Sequence, residues 1–138
     1  MIDDLKRQGL IKILPVDQKK IEDARTLALR DVTTARTLLD SNEDWAYNIA
    51  YNAVLQAGRA LMFSKGYRPD GANQHISVVK FAELFLDEHD SIIFDRMRRK
   101  RNSSVYDTAG SITEGEAVFA VKQAEQLVKK IFAVIDKS

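Results

Sequence analysis

At 138 residues the chain has room for one hydrophobic core, and folding at this size buries about two thirds of the surface that the unfolded form exposes. Apolar residues at 45% and charged residues at 30% exclude a disordered chain, and 21 Lys plus Arg against 20 Asp plus Glu leave a net charge of +1. No global charge therefore argues for nucleic acid or an anionic membrane, and any such case must be local. The lack of cysteine removes disulfides, thiolate nucleophiles and Cys-rich zinc sites. With no run of about 18 apolar residues and no leader-like apolar stretch behind the acidic N-terminus, a soluble, cytoplasmic protein without a membrane partner is expected.

Residues 1–16 read as a lead-in segment, in which Leu10 to Leu14 can run extended for a few residues. Residues 17–138 form the domain proper. From Asp17 to Asp40, Ile21, Ala24, Ala28, Val32, Ala35 and Leu38 recur at spacings of three and four, which predicts a helix capped by Asp17. Ser41-Asn42-Glu43-Asp44 has the form of a capping box for a second helix. Its alanine-rich stripe, Ala46 to Leu61, runs to a stop at Gly66 with Pro69 beyond, and small residues let neighbours approach closely, so this helix should be central. Lys65 to Gln74 reads as a loop, a third helix runs from about His75 to Leu86, and DEHD separates it from a fourth that begins near Ser91. Thr113 and Glu116 form another capping box for a fifth helix, whose stripe from Ala117 to Ile135 keeps the three-four spacing. The fold class is all-α: an up-and-down four-helix bundle with one extra short helix and no confident strand.

The absences narrow the chemistry. The chain lacks the paired Glu-x-x-His motifs of a di-iron bundle, both phosphate-cradling glycine motifs and the nucleophile elbow of serine hydrolases. With only His75 and His89, no metal site and no cofactor are expected. One stretch departs from the rest: five of the six residues Arg96-Met97-Arg98-Arg99-Lys100-Arg101 are cationic. Two or three cations suffice to oppose a helix dipole, whereas five in a near-neutral chain form a candidate phosphate site. Asn102, Ser103, Ser104, Tyr106 and Asp107 follow at once with hydrogen-bonding side chains.

RRKRNSSVYD, Arg98 to Asp107, resembles the signature of the HEPN family of nucleotide-binding domains, in which an arginine, often followed by asparagine, precedes a histidine by four to six residues. Arg101 and Asn102 match that pattern, and Tyr106 stands where many members have histidine. WAYNIAYNAVLQAGRALMFSKGYRP, Trp45 to Pro69, looks like the family's second helix and its stop, and ANQHISVVKF, Ala72 to Phe81, is similar to the segment after it. The resemblance covers residues 17 to 136. It implies a homodimer whose signature residues meet at the interface, RNA or a nucleotide as ligand, and a toxin-antitoxin arrangement with a nucleotidyltransferase-like protein as partner. It also implies a metal-independent endoribonuclease, with Arg101, Asn102 and Tyr106 as catalytic residues and Arg98, Arg99 and Arg101 as phosphate-binding residues. A guanidinium suits the first role because it stays charged and binds phosphate bidentately. Tyr106 weakens the catalytic reading, because a phenol with a pKa near 10 is a poor general base at neutral pH.

On a regular helix Asn102 and Tyr106, four apart, share a face, whereas Arg101 and Tyr106 meet only if the helix ends near Asn102. Both arrangements fit the sequence. His75 reads as a structural helix-start residue with catalysis as its lesser role, His89 as solvated loop, Tyr47 and Tyr51 as core or dimer packing, and Trp45 as packing. The rival function is a non-catalytic interaction or adaptor subunit whose basic patch docks an acidic partner protein.

Overall fold

A computed structural model describes residues 1–103 and 110–137. Its elements in chain order are α1 (Ile2–Arg7), β1 (Ile11–Ile13), α2 (Gln18–Leu38), α3 (Glu43–Ser64), β2 (Tyr67–Pro69), α4 (Gln74–Glu83), α5 (Glu88–Asn102) and α6 (Glu114–Asp136). The five expected helices are present, in an all-α bundle.

The centre is α3. Its alanines 46, 50, 53, 57 and 60 are fully buried, as are Ala28 and Ala35 of α2, and the two helices share the most extensive contact in the molecule. Alanine on both sides shortens the distance at which their surfaces meet. α6 packs on α3 and also touches α2; of the stripe read from the sequence it buries Ala117, Val121, Ala124, Val128 and Ile131, leaves Ile135 partly buried, and adds Ala120 and Leu127. Arg36 with Glu125, and Arg25 with Asp136 at 2.8 Å, pair α2 to α6 at the rim.

Local chemistry sets the boundaries. Asp17 caps α2 by accepting from the Lys19 N–H at 3.0 Å, and Thr113 and Glu116 bond reciprocally in the expected box at the start of α6. The start of α3 differs by a residue from the expected box: Asn42, not Ser41, caps it, accepting from the Trp45 N–H at 3.0 Å. The helix stops where Gly66 takes φ +86°, a conformation that a side chain disfavours. The DEHD run does not separate α4 from a helix starting at Ser91. Asp87 instead caps α5, accepting from the Asp90 N–H at 2.8 Å, so α5 begins three residues earlier and His89 lies on it, exposed.

Two features were not expected. Residues 2–7 form a short helix that buries Leu5. Leu10 to Leu14, read as extended, contributes β1, and β1 pairs antiparallel with β2 inside the segment expected to be loop, in the register Ile11↔Pro69, Lys12↔Arg68, Ile13↔Tyr67. Three-residue strands are too short to show a two-residue period, so tertiary pairing decides them. Trp45 also departs from expectation, standing 54% exposed rather than packed.

At Gly58 α3 and α4 approach closely. A Cβ there would lie 2.5 Å from Cγ1 of Val78 on α4, a buried and stiff branched side chain. Gly58→Ala gains about 1 kcal/mol of helix propensity but costs roughly 1–3 kcal/mol of overpacking. The expected outcome in urea unfolding is a net loss of about 1 kcal/mol, with favourable coupling to Val78→Ala in a double-mutant cycle because alanine at 78 vacates the space. A more stable single variant would contradict this packing.

Candidate functional site

Successive residues on a helix turn by 100°, so the five cations at the end of α5 cannot share one face. Arg96 lines a cleft of about 220 Å³ between α5 and α6, together with Tyr47, Met97, Glu116 and Phe119. Lys100 pairs with Glu116 at 3.4 Å. Arg98 and Arg99 share Asp95: Arg98 donates twice to Oδ1, from Nε at 3.1 Å and Nη2 at 3.0 Å, and Arg99 reaches Oδ2 at 2.6 Å. Burial pushes the Asp95 carboxyl up, but the hydrogen bonds and charges of Arg98 and Arg99 outweigh it and hold the group below the usual carboxylate range.

Arg101 points instead at α3. Its Nε donates to Oδ1 of the buried Asn48 at 3.0 Å, and Nη1 donates to Oδ1 of Asn102 at 3.1 Å. The guanidinium carbon stands 5.9 Å from the ring centroid of Tyr51, one turn along α3 from Asn48. Tyr51 in turn connects to α4, its hydroxyl lying 3.0 Å from Nδ1 of His75 and the two ring centroids 5.7 Å apart. Three helices thus supply one cluster: Asn48 and Tyr51 from α3, His75 from the first turn of α4, Arg101 and Asn102 from the end of α5. The α-helical span of α5 is described to Asn102, and Ser103 keeps helical angles of φ −60° and ψ −45°; the two helix geometries that the sequence left open differ at Tyr106, beyond that point. Tyr106, Ser104 and Asp107 lie outside the described residues.

The electrostatics follow from burial. Tyr51 is fully buried and its phenol is pushed up, first by desolvation, so it stays protonated at neutral pH. A buried O–H needs an acceptor, so it donates to Nδ1 and leaves the His75 proton on Nε2. Burial, and then the charges of Arg101 and Arg98, lower the His75 pKa, which keeps the imidazole neutral at pH 7. Burial likewise raises Tyr47, to about 12. At neutral pH the cluster therefore offers an oriented guanidinium and a neutral imidazole, both hydrogen-bond donors, and no phenolate at Tyr47 or Tyr51. Both suit an oxyanion.

Sequence reasoning singled out Arg101 and Asn102 but missed Asn48 as the anchor and Asp95 as the partner of Arg98 and Arg99. The signal for the first is the Tyr-Asn pair that repeats at 47–48 and 51–52, polar residues one turn apart within an alanine-rich stripe. A possible metal-ligand group, Asp87, His89 and Asp90, has atoms within 4.8 Å of one another, but Asp87 caps α5 and Asp90 accepts from Lys130 at 2.8 Å. Among the described residues, no helix is long and apolar enough to cross a membrane.

The His75 geometry has a direct readout. Long-range proton–nitrogen NMR should find the Nε2–H tautomer and a titration midpoint below 6.5, and Arg101→Ala should move that midpoint up, because the nearby positive charge is lost. The neutral form is favoured in the fold, so the stability it contributes is present above the unfolded pKa and falls as pH drops through the folded one. A midpoint unmoved by Arg101→Ala would contradict the placement.

A family model described as HEPN domain matches residues 21–134, from the first turns of α2 almost to the end of α6. No curated protein matches the chain. The match takes in every element that builds the Arg101 cluster, and the chain belongs to the HEPN domain family.

Proposed function

We propose that this HEPN domain binds the phosphate of RNA or of a nucleotide, with Arg101 as the anchor. The observation that carries the reading is the orientation of one guanidinium by Asn48, Asn102 and the Tyr51 ring, beside His75, whose Nδ1 lies 3.0 Å from the Tyr51 hydroxyl. A guanidinium held in one rotamer loses less entropy on binding and matches phosphate geometry bidentately. In this reading Arg98 and Arg99 flank the phosphate, with Asp95 tempering their charge, and Asn102 borders it, while Tyr106, outside the described residues, is implicated by the signature alone.

Cleavage by this site is slow or nil. Tyr51 stays protonated, and the accepting nitrogen of His75 is already taken by the Tyr51 hydroxyl, so neither offers an efficient base to a 2′-hydroxyl. The protein acts as a homodimer, a reading supported by the exposed Trp45, Ile92 and Phe119 on α3, α5 and α6. A toxin-antitoxin pairing with a nucleotidyltransferase-like partner fits the same assembly.

Purified protein incubated with mixed RNA in EDTA, followed by filter binding and gel analysis, tests the reading. The expected result is salt-sensitive binding that Arg101→Ala weakens by about 1.5–3 kcal/mol, roughly the loss of a hydrogen bond to a charged group, with little or no cleavage by the parent. Sedimentation equilibrium in the same buffer should return twice the 15.6 kDa chain mass. RNA binding unaffected by Arg101→Ala would refute the site, and failure of the parent to bind RNA or nucleotide would favour the acidic-partner adaptor.

A further inference from the structure

Beside His75 the surface opens into a groove of about 330 Å³ that runs along α3 to Arg59, walled by the side-chain amides of Asn52, Gln56 and Gln74. Arg59 and Gln74 also line the next cavity, of about 280 Å³, whose remaining charged walls are Arg68 of β2 and Lys20 of α2. Shared lining makes the two cavities one track. Along its whole length it presents three cations, one imidazole and three amides, and no carboxylate, in a chain with nearly as many acids as bases.

The cations are held in different ways. Arg59 Nη1 donates to Oε1 of Gln56 at 3.0 Å, and its guanidinium carbon lies 5.5 Å from the ring centroid of Phe63. Arg68 Nη1 donates to the Pro69 carbonyl at 3.2 Å, with Asp70 at 4.0 Å, the limit of an ion pair. Lys20 has no ion pair among the described residues, and Asp23, which lines an adjoining cavity with it, is paired to Lys19 at 2.9 Å. Arg59 lies eight residues beyond Tyr51 on α3, about 12 Å along the axis, so one phosphate cannot touch both ends.

We propose that this track is a second subsite for the backbone of single-stranded RNA, so that the ligand of the Arg101 site is a strand of several nucleotides rather than a mononucleotide. The inference rests on the phosphate reading of Arg101. Fixed cations along a groove follow a phosphate backbone, and the guanidinium plane of Arg59 gives an unpaired base a stacking face. Asn52 already donates to Oδ2 of Asp31 at 2.8 Å and Gln56 already accepts from Arg59, but with Gln74 these amides keep both donor and acceptor capacity, which suits base edges in a splayed strand, whereas the carboxylates of an acidic polypeptide only accept. Those amides favour RNA over an acidic protein segment.

Fluorescence anisotropy with the full chain tests this, using a labelled 12-nucleotide single-stranded RNA, a diribonucleotide and a polyglutamate peptide. Arg59→Gln with Arg68→Gln should weaken the 12-mer at least tenfold and flatten its log-log salt slope by about 1.4, two phosphates at about 0.7 each, while the diribonucleotide changes less than twofold. Lys20→Gln, on the exposed first turn of α2, should weaken the 12-mer by a smaller factor with an unchanged melting temperature, which separates binding from folding. If the double variant leaves the 12-mer unchanged while Arg101→Ala weakens it, the second subsite is overturned and the Arg101 reading stands. If neither variant affects the 12-mer, both fall. Polyglutamate binding as tightly as the 12-mer, with the same sensitivity to the double variant, overturns the subsite in favour of an acidic protein segment.

Discussion

An arginine at the last turn of a helix ordinarily samples many rotamers, and ordering it costs up to about 2 kcal/mol of side-chain entropy. Arg101 is spared much of that freedom before any ligand arrives. Asn48, buried on α3, accepts from Nε; Asn102 accepts from Nη1; and the Tyr51 ring stands 5.9 Å from the guanidinium carbon. The rest of the cluster depends on this hold, since Tyr51 also fixes the His75 tautomer and the positive charge of Arg101 helps keep that imidazole neutral. One guanidinium position therefore sets both the charge and the protonation state of its neighbours.

That position is possible because α3 is built mainly from alanine on its buried faces. Close contact with α2 and α6 uses small side chains, and the larger polar residues of the helix, Asn48 and Tyr51, are directed to α5 and α4. Gly58 extends the same logic one step, letting Val78 and hence α4 sit against α3. The ribbon of β1 and β2 supports the same end of α4: Ser77, fully buried, donates to the Asp70 carbonyl at 3.1 Å just beyond β2. Packing choices far from Arg101 thereby fix where His75 stands.

How much of this the sequence revealed varied with the range of the interaction. Long periodic stripes on α2, α3 and α6 made those helices legible, because burying one face is a property of each segment by itself. The caps at Asp17 and Thr113 were legible for the same reason. The β1–β2 ribbon was not, because its pairing joins residues more than fifty apart and each strand is too short to carry a period. The cation run on α5 was visible, but the division of its members was not: Asp95 lies one turn away on the same helix, whereas Asn48 comes from another. Arg101 could be singled out through resemblance to the HEPN signature, while the physical reason for its importance, an anchor on α3, needed three dimensions.

The central claim is that orientation, not charge alone, makes Arg101 a phosphate site. The direct test is the RNA affinity of Arg101→Lys compared with that of Arg99→Lys at one salt concentration, since both substitutions keep the charge. Arg101→Lys removes the Nε donor to Asn48 and the bidentate fork, so affinity should fall about tenfold, equivalent to about 1.4 kcal/mol. Arg99, with a side chain 69% exposed, should tolerate the change within about twofold. Equal effects at the two positions would mean that the site responds to charge alone and would contradict the account.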